Sequence, residues 1–372
     1  MSGGAVLAQK VAPASSAKPV APSAGAADAR LSRVKVASSS FNPSAGERLS
    51  IRFTLSSDAA VTLKIFDPDF ELIRALWQKK PLRAGNHTAT WDGKDMDGKI
   101  VPNEAYFFTI EAQVGDGLQT VYDPITFSGG EVYDITKADF DRENNSVTYT
   151  LERPGRVLIR LGIHNGPLLR TLVDWKPHLP GLVTEPWNGR DESGVIDIRQ
   201  RANFTTLVTY FTLPENSVIA FGNNKVTYAD YKQGHKGQRE KQVVRERRVP
   251  TTRSLSPHFL LPRTQDRALK VSLSFPEIKP EGKNAAITVR GLTLIRVDVA
   301  EAFRNLISQQ PFEIMFFLDQ VFFAEEESGH IPYNFQWDFS SLGPGEHVLT
   351  VNIATLNDQI GAASVRIFVK KD

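Results

Sequence analysis

One eight-residue phrase occurs twice in this chain. Trp91-Asp92-Gly93-Lys94-Asp95-Met96-Asp97-Gly98 returns as Trp187-Asn188-Gly189-Arg190-Asp191-Glu192-Ser193-Gly194, an offset of 96 (187 − 91). Carried backwards without a gap, the offset pairs Gly85 with Gly181, Thr88 with Thr184, and Lys80-Pro81 with Lys176-Pro177. It also aligns Arg74 with Arg170, Leu72 with Leu168, Leu76 with Leu172, Val61 with Val157, and Thr54-Leu55 with Thr150-Leu151. Where identity lapses the chemistry holds, as in Phe53 with Tyr149, Ile51 with Val147, Leu63 with Ile159 and Ile65 with Leu161. Matches this numerous in one register mean a duplication, so one fold must serve both copies.

Each copy reads as strands. Leu49, Ile51, Phe53 and Leu55 alternate with polar residues, the period of a half-buried strand, and Val147, Tyr149 and Leu151 repeat it. Val61, Leu63 and Ile65 predict the next strand, matched by Val157, Ile159 and Leu161, with Ser56-Ser57-Asp58 or Arg153-Pro154-Gly155 turning the chain between them. Leu72 to Trp77 predicts a third, and aromatic strands follow each phrase at Tyr106-Phe107-Phe108 and Leu207 to Phe211. Short strands separated by frequent turns predict a β-sandwich.

At this point the residues resemble a known module. Gly85, Thr88, Trp91-Asp92-Gly93, Asp95, Gly98, Pro102 and Tyr106, with Phe41-Asn42-Pro43 upstream, are similar to the Ig-like module named after the flagellar hook-capping protein. The likeness covers roughly residues 38–113 well and about 130–220 more loosely, because copy two carries Asn188 for Asp92 and lacks the Pro and Tyr positions. The resemblance implies an Ig-like fold, and a module of the kind appended to exported bacterial proteins.

Strands resume at Lys270–Phe275, Leu292–Val299 and Phe312–Leu318, with Asp319-Gln320 as a hairpin turn before Val321-Phe322-Phe323. Pro332–Asp338, the Gly343-Pro344-Gly345 turn before Val348 and Val351, and Ala363–Val369 complete a third unit that resembles a bacterial Ig-like domain. The segment Val299 to Gln309 is open between a short helix and a loop. The apolar run Phe312–Phe323 predicts a central hairpin, one face of which meets a neighbouring domain or subunit. The expected organisation is all-β: three immunoglobulin-like or fibronectin-like sandwiches in tandem behind a disordered leader. The leader spans 1–32, the modules 33–127, 128–228 and 268–372, and a basic linker 229–267.

The leader is rich in Ala, Ser, Pro and Gly. Its Ala5-Val6-Leu7-Ala8 followed by Gln9 resembles the end of a secretory signal without the charged start or long apolar stretch, and export is expected. The chain has no cysteine, which removes disulfides, thiolate metal sites and cysteine nucleophiles. Its seven histidines form no pair at metal-ligand spacing, and no run of apolar residues is long enough for a membrane helix.

Asp92, Asp95 and Asp97 with Gly98 suggest an oxygen-ligand loop for calcium, but no Glu closes it and copy two keeps only Asp191. A polar turn is the expectation, with no metal and no cofactor. The repeat residues Gly85, Trp91, Gly93, Asp95, Gly98, Gly181, Trp187, Gly189, Asp191 and Gly194 are read as structural, the tryptophans as packed aromatics rather than sugar platforms. Lys232, Lys236, Arg239, Lys241, Arg245, Arg247 and Arg248 are the candidate contact for an anionic surface. Nucleic acid is disfavoured, since no aromatics interleave with the charges from Lys232 to Arg253. The motifs of hydrolases, nucleotide-binding enzymes and zinc proteases are absent, and the adjacent Glu325-Glu326-Glu327 make no acid–base pair by adjacency alone. The chain is therefore expected to be a non-enzymatic structural or adhesive protein, contacting protein partners in an exported surface or envelope assembly. A carbohydrate- or anionic-surface-binding protein and a flagellar hook assembly factor are the alternatives.

Overall fold

The computed structural model of the chain describes residues 30–115, 117, 119–135, 138–141, 143–201, 203–235, 253–279 and 286–371. The leader up to residue 29 lies outside them. The first sandwich uses β1 (Leu31–Val36), β2 (Ser40–Phe41), β3 (Leu49–Leu55), β4 (Ala59–Phe66), β5 (Leu72–Leu82), β6 (Gly85–Trp91), β7 (Glu104–Gln113) and β8 (Gln119–Tyr122). One sheet runs β1-β3-β6; the other runs β5-β4-β7, with β8 on the C-terminal half of β7. The alternation in β3 and β4 places Ile51, Phe53, Val61, Leu63 and Ile65 on facing inner surfaces, all buried.

The second sandwich repeats the plan with β9 (Val132–Asp134), β10 (Ala138–Asp141), β11 (Ser146–Leu151), β12 (Gly155–Ile163), β13 (Leu168–His178), β14 (Gly181–Pro186) and β15 (Phe204–Thr212). Sheet β10-β11-β14 faces β13-β12-β15-β9 over Val147, Tyr149, Val157, Ile159 and Leu161. Strand pairing shows where the copies drift apart. Val61 pairs with Ala112 while Val157 pairs with Tyr210, so the offset of 96 has become 98 (210 − 112) by the last strand.

After β15 the chain returns to the first sandwich. β16 (Val218–Ala220) pairs antiparallel with β7 over Glu104–Tyr106 and parallel with β2, and Val218 and Ala220 enter the first core. Asn223 fastens the next turn, its Nδ2 donating to the carbonyls of Ile100 and Val101 at 3.1 Å each. Helix α1 (Tyr228–Gly234), capped by the Thr227 side chain, adds Tyr231 to the same core. The expected boundaries are corrected accordingly: residues 218–235 belong to neither the second module nor a linker. The reason lies in β7, whose free backbone groups at Glu104–Tyr106 need a partner once Ala105, Tyr106 and Phe107 are buried.

Residues 253–267, expected as linker, form an ordered strap around α2 (Pro257–Leu260). Arg263 N donates to Asp69 of the first sandwich at 2.6 Å and its Nη2 to the Asp174 carbonyl of the second at 3.2 Å. The Gln265 carbonyl accepts from Gln359 of the third at 2.7 Å.

The third sandwich comprises β17 (Val271–Ser274), β18 (Ile287–Val289), β19 (Leu292–Val299), β20 (Phe312–Leu318), β21 (Val321–Glu326), β22 (Tyr333–Asp338), β23 (Gly345–Thr355) and β24 (Ile360–Val369). Sheet β17-β19-β22 faces β18-β24-β23-β20-β21, and the segment left open between helix and loop is α3 (Glu301–Ile307). β20 is the interior strand next to the edge and β21 is the edge itself, which corrects the expected central hairpin. Asp319 and Gln320, at φ +48° and +76°, make the tight turn between them.

The three units are docked through β12, which is buried on both faces. Its inner residues fill the second core, while its outer residues reach the other units in succession. The Arg156 guanidinium lies 2.7 Å from Glu104 of the first sandwich, the side chains 3% and 7% exposed. Leu158 enters an apolar seam with Phe66, Phe70, Phe107, Trp175, Phe211 and Phe259. Arg160 binds Asp358 of the third sandwich at 2.8 Å. Nearby, Asn352 of the third makes reciprocal 2.8 Å bonds with the backbone N–H and carbonyl of Leu168.

Arg156→Ala leaves the Glu104 carboxylate buried without its cation, and is expected to cost about 3–5 kcal/mol in urea denaturation. Ala60, which holds the Arg156 position in the first copy, marks how little the second core itself needs an arginine there.

Candidate functional site

The repeated phrase builds the same turn twice. Trp91 Nε1 donates to the Lys94 carbonyl and Trp187 Nε1 to the Arg190 carbonyl, both at 2.9 Å. The indoles are 1% and 4% exposed, so neither ring offers a face to a sugar. Phe41 covers Trp91 at 5.4 Å between ring centres, and Phe140 covers Trp187 at 5.0 Å. Gly93 has φ +69°, and a Cβ there would sit 2.3 Å from Pro43 Cβ; at Gly189, with φ +76°, it would sit 2.3 Å from Arg199 Nε.

The turns are pinned to the neighbouring strand by residues whose role the repeat hid in plain identity. Arg74 Nη1 donates to Asp92 Oδ1 and Arg170 Nη1 to Asn188 Oδ1, each at 2.9 Å, so the Asp-to-Asn change keeps the acceptor. Asp95 Oδ1 accepts from the backbone N–H of Asp97 and Lys99, at 3.0 and 2.9 Å, and Asp191 Oδ1 from that of Ile196 at 2.8 Å. In the first copy alone Tyr106 Oη donates to the Pro102 carbonyl at 3.0 Å, which gives that spacing its physical meaning.

The copies differ in what lies over the turn. Helix α1 covers the first: Tyr231 Oη donates to Asp95 Oδ2 at 2.7 Å and His235 Nε2 faces Asp95 and Asp97. At the second turn Asp191 is buried with Oδ2 lacking a hydrogen-bond partner. No spacing in the sequence indicated that α1 returns to this place.

The basic stretch is largely outside the described residues, which exclude Lys236, Arg239, Lys241, Arg245, Arg247 and Arg248. Lys232 is described, and it does not face solvent. Its Nζ lies 3.1, 3.2 and 2.7 Å from Asp67, Asp69 and Glu71 with the side chain 11% exposed, so it is withdrawn as a contact for an anionic surface. Burial pushes its ammonium down, but Asp67, Asp69 and Glu71 outweigh that and hold it above the usual lysine value. Arg253 is similarly used, bound to Glu131 and to the Ile125 carbonyl.

At the meeting point of all three sandwiches sits His258. Its ring lies 4.5 Å from Trp175, its Nδ1 is 3.0 Å from Asp266 and its Nε2 is 3.7 Å from Asp358. A cleft of about 30 Å³ lies between Tyr106, Arg156, Phe211 and His258, with room for about one or two waters. The chemistry here is that of a fastening. Trp175, unplaced from the sequence, stands at a bulge of β13 with φ +49°, and that conformation turns its ring outward into the seam.

Residues 38–116 match the FlgD Ig-like domain. The basal-body rod modification protein FlgD of Salmonella typhimurium (strain LT2) is 47% identical over 68 residues, 18% of this chain and 28% of that protein. The chain thus spans less than a third of the length of the curated relatives it matches. The crystal structure of FLGD from P. aeruginosa is 23% identical with a TM-score of 0.21, over 25% of this chain and 70% of its own. A tetra-tandem repeat from the extending region of a large adhesion protein is 11% identical with a TM-score of 0.18, over 91% of this chain and 74% of its own. Among the described residues no helix is long and apolar enough to cross a membrane.

The fastening is pH-sensitive. Burial pushes His258 down, but the bond to Asp266 and the Asp358 carboxylate outweigh it and raise it from 6.5 to about 9. The folded state therefore holds this proton more tightly than the unfolded chain. The stabilisation is complete below about pH 6.5 and is lost as pH rises through 9. Thermal unfolding between pH 6 and 10 is expected to show a loss of up to about 3 kcal/mol over that window, and His258→Gln to flatten it.

Proposed function

We propose that this chain is a non-catalytic structural protein of an exported surface or envelope assembly, presenting its three clamped sandwiches to a protein partner as one body. The observation that carries this reading is the edge of β21. Its outer backbone edge is unpaired among the described residues, and it opens with Val321 and Phe322, 68% and 48% exposed. The opposite kind of edge is found on β5, where Lys79, Lys80 and Pro81 stand exposed and discourage strand addition. An edge with exposed apolar side chains suits an extended segment of another protein, added as a further strand. The match of residues 38–116 to the FlgD Ig-like domain supports a structural role. The six cations from Lys236 to Arg248 are proposed as a subsidiary contact for an anionic surface, lipid headgroup or acidic polysaccharide.

The test is a photo-reactive cross-linker at position 322 in living cells, followed by fractionation and mass spectrometry. A stoichiometric cross-linked protein in the envelope or medium is expected, and Val321→Lys with Phe322→Lys should abolish it at an unchanged thermal midpoint. Recovery in the cytosol alone, or cross-linking indifferent to the lysines, overturns the reading.

A flagellar role has its own support in the 47% identity to FlgD over 68 residues. Normal hooks and normal swimming in a deletion strain would remove it.

A further inference from the structure

We propose that Asp95, Asp97 and His235 bind a divalent ion of the zinc class, which fastens the returning helix α1 to the first Trp-Asp-Gly turn. Two of the donors come from one turn and the third, His235, from 138 residues further on (235 − 97), yet their ligand atoms lie within 4.8 Å of one another. His235 Nε2 is 3.7 Å from Asp95 Oδ2 and 3.5 Å from Asp97 Oδ2. Those separations exceed an N–H···O hydrogen bond of about 2.7–3.2 Å. They approach the roughly 3.3–3.4 Å between ligand atoms of four-coordinate zinc with bonds of about 2.0–2.1 Å.

The imidazole is arranged as a ligand. His235 is 8% exposed, and its buried Nε2 has no hydrogen-bond partner. Its Nδ1 lies 2.6 Å from the Tyr231 carbonyl, which can only accept, so Nδ1 is a donor and Nε2 is the nitrogen left to meet the acids. Nε2 faces two carboxylate oxygens beyond hydrogen-bond distance, a place where a metal ion would take its lone pair and balance both acids. A histidine whose second nitrogen donates to a backbone carbonyl is the usual outer support of a metal-bound imidazole.

The carboxylates are supported as well. Asp95 Oδ1 is held by the N–H groups of Asp97 and Lys99, and Oδ2 by Tyr231 Oη. The Asp97 side chain is 44% exposed, which gives an ion a way in and a water the fourth position. One imidazole nitrogen with two carboxylates suits zinc or a neighbouring transition metal; calcium asks for six to eight oxygens. Asp92, the third acid of the turn, is turned away to Arg74.

The experiment is equilibrium dialysis of the full chain against zinc chloride, with metal content read by mass spectrometry and Kd by competition with a chromophoric chelator. About one zinc per chain is expected, and His235→Gln and Asp97→Asn should each weaken binding at least about tenfold. Asp92→Asn, the residue that copy two carries there, should leave it unchanged. Circular dichroism reports whether each variant folds; should His235→Gln fail to fold, the half-exposed Asp97→Asn decides. Cobalt in place of zinc should give the visible bands of a four-coordinate site in the native chain and lose them in both ligand variants. Failure to bind zinc, zinc binding indifferent to both substitutions, or preference for calcium would overturn the proposal.

Discussion

Two charges taken out of water hold this molecule in its shape. The pair formed by Arg156 and Glu104 is almost wholly buried, and an ion pair in that setting is maintained only while both partners are present. Contact at 2.7 Å brings the first and second sandwiches close enough for Leu158, Trp175 and Phe211 to pack with Phe66, Phe70 and Phe107. The same strand then offers Arg160 to the third sandwich. Three alternate residues on one face of β12 thereby fix two interfaces at once, because the two-residue period of a strand points them all outward. The corresponding positions of the first copy hold Ala60, Thr62 and Lys64; Thr62 accepts from the backbone N–H of Lys79 and Lys64 pairs with Glu111, both of the same sandwich. The two copies share a scaffold and differ on the outward face that docks.

Identity between copies made the sandwiches legible in the sequence, since residues such as Trp91 and Gly93 serve local geometry that must be rebuilt wherever the turn recurs. The hairpin at Asp319-Gln320 and the limits of β19 and β20 were legible for a similar reason, being set by nearest neighbours. What escaped was long-range. Val218-Ile219-Ala220 is too short to announce itself as a strand, and nothing in its composition says that its partner is β7 rather than β15. Charge misled in the same way: Lys232 looks solvated in a run of cations, yet its three acids lie 161 to 165 residues earlier. Asp67 and its neighbours carry no pattern that points forward to a lysine. Trp175 could not be placed because its position follows from a backbone bulge, and a bulge shifts register without marking the side chains that cause it.

The two turns also illustrate how a duplicated element is released from constraint unevenly. Backbone N–H groups at Asp97, Lys99 and Ile196 still need an acceptor, and Asp95 and Asp191 supply it in both copies. The tyrosine that braces the first turn through Tyr106 has no counterpart in the second, where Arg199 instead binds Asp197 and Asn145. Extra residues downstream, which stretch the offset from 96 to 98, accompany that exchange. The acid common to both copies is left half-used in one and capped by a distant helix in the other.

The return of β16 to β7 has a consequence for the order in which the molecule can be made. A chain emerging N-terminus first, from a ribosome or through an export channel, delivers the strands from Leu31 to Gln113 long before Val218. Throughout that interval the first sandwich stands with part of an edge uncovered, and the second is synthesised beside it. The first-born unit is therefore the one finished late, and its maturation is timed by the completion of its own duplicate.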